Sequence, residues 1–150
     1  MITKKITMYA ASLAALGVAS IGGIAVAEDA ASRTVWEGVY AAEQAEAGLS
    51  VYATQCQQCH AETMRGGPGA PGLVGPGFQF GWDEKTVGEL FAFIKENMPA
   101  GAAGSLTDQQ YIDVTAAILQ ENGFPAGEAA LQPESEALDQ ILITREKPGQ

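Results

Sequence analysis

Apolar residues recur with helical period between Tyr40 and His60: Leu49, Tyr52, Ala53 and Cys56 fall at i, i+3, i+4 and i+7, and Cys59 continues the row. That stripe predicts a helix over 40–60 whose cysteines face the core. From Gly66 to Gly77 the pattern is lost, because nine of the twelve residues are Gly or Pro. A loop is expected there, since neither a helix nor a central strand survives such a composition. The period returns over 84–97, where Val87, Leu90, Phe91 and Ile94 mark one face, and Met98-Pro99 ends it because a residue before proline avoids helical backbone. After a small-residue loop over 100–105, Thr107 and Gln110 form a capping box that opens a third helix. It runs to about Asn122, where Gly123 and Pro125 stop it. This helix carries two apolar rows, Tyr111/Val114/Ile118 and Ile112/Thr115/Leu119, so its buried face is broad and should meet more than one neighbour. The tail over 126–150 is acidic but includes Leu131, Leu138, Ile141 and Ile143. It either packs along the body with one helical turn or is partly disordered. No internal repeat and no strand pair is evident, and the fold class is all-α.

The first 27 residues change this picture. Lys4 and Lys5 precede an uncharged run that ends in Ala25-Val26-Ala27, just before Glu28-Asp29. A basic start, an apolar middle and a small-residue exit predict a signal peptide over 1–27, cleaved after Ala27, with a periplasmic domain over 28–150. The competing reading is a retained anchor, since 22 uncharged residues (6–27) can span a bilayer; only then is membrane contact expected. The many Gly, Ala and Ser residues make the run weakly hydrophobic and favour cleavage. Losing Lys4 and Lys5 takes the formal charge from −10 to −12. So acidic a domain excludes nucleic acid as a partner, because phosphate binding depends on basic side chains. Three short helices of this size also bury a limited core, so something else should fill the centre.

The stretch Thr54-Gln55-Cys56-Gln57-Gln58-Cys59-His60 holds both cysteines and the only histidine of the chain. An exported pair of cysteines at i and i+3 suits a disulfide, but a disulfide gives His60 no role. A structural zinc site needs four ligands, commonly Cys or His, and only three exist here. A thioredoxin-like redox pair needs a βαβ context, whereas these flanks are a helix and a Gly/Pro loop. Cys-x-x-Cys-His is the attachment signature of c-type haem. Two thiols one helical turn apart reach two vinyl groups on one edge of the porphyrin, and the adjacent imidazole becomes an axial ligand to iron. The macrocycle would also complete the thin core.

With His60 on one face of the ring, the other axial position is open or taken by methionine. Beyond the leader only Met64 and Met98 are available. Met64 follows His60 too closely to reach round the ring. Met98, at a helix end and the mouth of a small-residue loop, can reach the opposite face, gap-filling in the core being its alternative use.

Cys56-x-x-Cys59-His60, the Pro71-Gly72-Leu73 step, Asn97-Met98-Pro99 and the capped last helix together resemble a small bacterial class I c-type cytochrome with His/Met ligation. The segments "TVWEGVYAAEQAEAG", "GFQFGWDEKTVGELFAFIKENMPAG" and "ENGFPAG" are similar to cytochromes that accompany periplasmic quinoprotein and other dehydrogenases. The resemblance covers nearly all of the exported part. It implies a cytochrome c fold, short helices wrapped around one covalent haem (heme c) and its iron, with the first and last helices crossing at Gly48 and Tyr52. It further implies that the Pro71 carbonyl accepts a hydrogen bond from the His60 ring, and that Trp82 lies near a haem propionate, with a core or loop anchor as the competing use of that ring. The family's usual aromatic in the last helix is replaced by Ala116-Ala117, so the crossing is expected to lean on Tyr111.

The functional expectation is a periplasmic electron carrier cycling Fe(III) and Fe(II), not an enzyme, with His60 and Met98 on the metal. Its redox partners would be a periplasmic dehydrogenase as donor and an oxidase or another cytochrome as acceptor. The alternatives are an open sixth site for a small gas or a peroxide, and an electron-transfer subunit held permanently by a dehydrogenase.

Overall fold

A computed structural model of the protein describes residues 33–149. The leader or anchor expected over 1–27 lies outside the described residues. In chain order the elements are β1 (Arg33–Thr34), a single 3₁₀ turn (Val35–Glu37), α1 (Ala42–Gln55), α2 (Gln57–His60), α3 (Pro76–Trp82), α4 (Val87–Asn97), α5 (Asp108–Glu121), α6 (Ser135–Leu138) and β2 (Ile141–Leu142).

The centre of the fold is the crossing of α1 and α5. Gly48 is buried there, and a side chain at this position would run into the Asp113 carbonyl and the Ala117 methyl. Glycine on α1 and Ala117 on α5 let the two backbones meet closely. Tyr111, expected to support the crossing, is buried on α5, and its hydroxyl bonds the Met98 carbonyl. Tyr52 sends its hydroxyl to the Ala61 carbonyl, 2.5 Å away.

The same crossing sets which face of α1 is inside. The buried row is Gln44, Ala45, Gly48 and Tyr52, while Ala53 is exposed and Leu49 half-buried. The expected long helix breaks at Cys56, whose φ of −122° leaves helical geometry. On the polypeptide, Cys56 is half-buried and Cys59 exposed, so the cysteines do not face the protein core as expected. The apolar row was read one position away from the face that glycine selects for close approach.

Every residue from Tyr111 to Leu119 is buried, consistent with the broad face expected of α5. α4 starts at Val87, later than its apolar pattern suggested, because Thr86 and Glu89 build a capping box. Helix α3 arises where a loop was expected at its first residues: Pro76 sits in its first turn, where the missing amide costs nothing.

The tail forms a strap that returns across the body. Gln44 pairs with Leu131 as a strand would, donating to its carbonyl at 2.9 Å and accepting from its amide at 2.8 Å. Leu131, Leu138, Ile141 and Ile143 are all buried. β2 pairs in parallel with β1, Arg33 opposite Ile141 and Thr34 opposite Leu142, a short strand pair that the apolar pattern did not reveal. Ile143 exchanges backbone hydrogen bonds with Glu84 and Lys85, and Trp36 donates its indole N–H to the Thr144 carbonyl. Arg145 closes the strap on Asp83 at 2.7 Å.

Candidate functional site

Cys56 stands between α1 and α2. The last turn of α1 bonds its amide to the Tyr52 carbonyl at 2.9 Å, and the His60 amide bonds the Cys56 carbonyl at 3.0 Å. Cys56, Cys59 and His60 therefore share one turn. The two thiols are free, with no disulfide between them. Burial, helped by the neighbouring Cys59, pushes the Cys56 thiol up to about 11, so it stays a protonated thiol at neutral pH. Burial and Cys56 together push the Tyr52 phenol up to about 12, keeping it a donor to Ala61.

After His60 the chain turns back on itself. Ala61 adopts φ 65°, an uncommon backbone for a residue with a side chain, held by the Tyr52 hydroxyl. The Gly66 amide then bonds the His60 carbonyl at 3.0 Å. Gly66 has φ 84°, and a side chain there would collide with the backbone at Ala70 and Gly72. Glycine is thus required for the tight return that brings the Pro71 carbonyl to 2.9 Å from His60 Nδ1. A carbonyl only accepts, so Nδ1 carries the proton and Nε2 keeps its lone pair. Asn122, just past α5, holds the far side of this loop: its amide donates to the Leu73 carbonyl at 2.9 Å and accepts from the Gly75 amide at 3.1 Å. The sequence reading missed Asn122; a polar residue closing a helix before Gly123 was the available signal.

Met98 caps α4, half-buried, and packs against the main core. Met64 is buried, with its carbonyl bonded to the Leu73 amide, so it serves the Gly-rich loop. Trp82 is half-buried against the rings of Phe78 and Phe93, with Lys85 above it. The structure thus brings Cys56, Cys59, His60 and Pro71 together, while Trp82 and Met98 sit on other elements, with no hydrogen bond or ring contact to His60 among the described residues.

The donor chemistry selects among the ligands that this turn could take. Among the described residues, no group of three His, Cys, Asp or Glu side chains is poised to hold a metal ion. Two unpaired thiols one turn apart, followed by an imidazole with only Nε2 free, fit a porphyrin attached by two thioethers and ligated from one side.

A helical body carrying a Cys-x-x-Cys-His turn matches the cytochrome c fold. Residues 43–116 match the family described as Cytochrome C oxidase, cbb3-type, subunit III. A thiosulfate dehydrogenase of Stutzerimonas stutzeri (strain A1501) is 37% identical over 67 residues, covering 41% of this chain and 22% of that protein. The match thus spans about a fifth of that relative's length. The crystal structure of the sulfane dehydrogenase SoxCD from Paracoccus pantotrophus aligns over 84% of this chain and 68% of its own, at 20% identity and a TM-score of 0.48. No described helix is long and apolar enough to cross a membrane.

Proposed function

We propose that this protein is a monohaem electron carrier. The observation that carries it is the His60 imidazole, tied through Nδ1 to Pro71 directly after two unpaired cysteines on the same turn. Bound haem supplies one-electron chemistry at iron without a substrate having to coordinate. Cys56 and Cys59 would hold the group through two thioether bonds, each thiol S–H adding across a vinyl C=C. His60 would offer Nε2 to the iron, its ring oriented by the Pro71 carbonyl. Met98 would supply a soft neutral sulfur to the iron, which would favour the ferrous state and raise the potential relative to two histidines. Trp82, held by the rings of Phe78 and Phe93, would pack beside the bound group.

We further propose that residues 1–27 are a leader removed on export to the periplasm. There a dehydrogenase donates electrons, and an oxidase or another cytochrome accepts them. The name of the relative from Stutzerimonas stutzeri favours a second form of the same reading, in which this chain serves as the electron-transfer subunit of a dehydrogenase. Co-purification from its native cells separates a free carrier from a fixed subunit.

One intact-mass spectrum tests export and attachment together: the expected species begins at Glu28 and carries one haem that survives acid-acetone extraction. Extractable haem, or a retained 1–27 segment, contradicts the corresponding half. Met98→Ala is expected to remove the weak long-wavelength iron–thioether band and lower the potential, and Met64→Ala to leave both in place. The reverse result assigns the ligand to Met64. Rapid stoichiometric cyanide binding by the wild type would instead indicate an open sixth site.

A further inference from the structure

We propose that Tyr111 is the positioning residue for the Met98 ligand; this rests on the assignment of Met98 as the second axial ligand. Both main-chain groups of Met98 are engaged. Its amide bonds the Ile94 carbonyl at 2.8 Å, and its carbonyl accepts the Tyr111 hydroxyl at 2.8 Å. The same phenol oxygen accepts the Leu106 amide at 3.4 Å. One atom therefore grips both ends of the loop that Met98 opens.

That grip matters because the loop has little else to hold it. Residues 100–105 are all exposed, and their backbone bonds are two successive local turns, Ala102 to Pro99 and Ser105 to Ala102. A segment with few buried contacts opens locally unless its ends are fixed. Tyr111 is suited to fix them: its ring is fully buried, and it stands on the first turn of α5, behind the Thr107–Gln110 capping box. With the backbone of Met98 pinned at both groups, only side-chain torsions remain to place its sulfur. Ligand loops need such support to keep a donor atom within a few tenths of an ångström of its metal. Removing the hydroxyl leaves the Met98 carbonyl without this donor and frees the Leu106 end.

Imidazole titration of ferric holoprotein, followed by loss of the iron–thioether band, is the test. Tyr111→Phe should bind imidazole about fivefold more tightly than wild type, the equivalent of ~1 kcal/mol for one lost hydrogen bond. Tyr40→Phe is the matched control, since another buried tyrosine there donates to a distant backbone carbonyl, that of Phe124 at 2.6 Å. It should lower thermal stability comparably while leaving imidazole affinity within about twofold of wild type, the scatter expected of independent sites. Equal affinity gains in both variants, or none in Tyr111→Phe, would overturn the assignment. Met98→Ala distinguishes the two levels. If it keeps the band, the ligand assignment and this inference fall together. If it loses the band while Tyr111→Phe titrates as wild type, only the role of Tyr111 falls.

Discussion

A single glycine decides how α1 and α5 meet. At Gly48 an added methyl would overlap the Asp113 carbonyl, a backbone atom that yields only if the whole helix shifts. Gly48→Ala is therefore expected to cost about 3 kcal/mol, the upper end for overpacking a dense core, and to lower the Tm by on the order of 10 °C. Differential scanning calorimetry on holoprotein checks it, and an unchanged Tm would mean that the helices slide apart freely. At this scale the attachment turn was legible, because Cys56, Cys59 and His60 act through spacing along one turn. The hydroxyl of Tyr111 and the amide of Asn122 were not, since their partners Met98 and Leu73 lie 13 and 49 residues away in sequence. Apolar periodicity locates a residue on a face and is silent about where a polar tip finds its partner.

Between elements, local signals and tertiary demands parted in identifiable places. α4 and α5 were readable because each opens with a capping box and each has a wide apolar row. α3 was hidden by its own proline, which marks a loop in composition and a first turn in space. The strap's apolar positions were visible, but β1 and β2 are too short to show an alternating pattern and come from opposite ends of the described chain. Its last fastening is the Asp83–Arg145 pair, which titrates. Hydrogen bonds from Arg145 hold the Asp83 carboxyl below its ordinary 3.8. A depressed folded-state value stabilises above about pH 4, and that contribution is withdrawn as the pH falls through the lower folded value. The pair is solvent-facing, so its release should loosen the strap without unfolding the body. Hydrogen-exchange protection of the Ile143 amide should fall in the wild type as the pH drops below about 4. In Asp83→Asn it should already be low at pH 6 and vary little. Wild-type protection that stays constant through this range would show that the ion pair does not hold the strap.

For the molecule as a whole, a formal charge of −10 suggests partners chosen by charge, but its distribution argues otherwise. Residues 63–82 and 97–107, which flank the attachment turn and the Met98 loop, contain one charged side chain, Arg65. The acids gather in the helices and the strap, where Asp108 is partly offset by Lys95 and Asp83 by Arg145. A partner approaching the exposed Cys59 side or the exposed 100–105 loop therefore meets small uncharged residues, with carboxylates only at the rim. Rim charges steer encounter and are screened beyond about 8 Å at physiological salt. Electron exchange with the natural partner should thus slow only modestly as ionic strength rises. Leu73→Glu, or Ala102→Glu in the exposed loop, should slow it more than neutralising Glu134 and Glu136 on the strap, because a charge buried in a contact loses its water without gaining a partner. Stopped-flow rates across a salt series decide the matter: a steep fall with salt, with the strap variants the most impaired, would place the docking face among the acids.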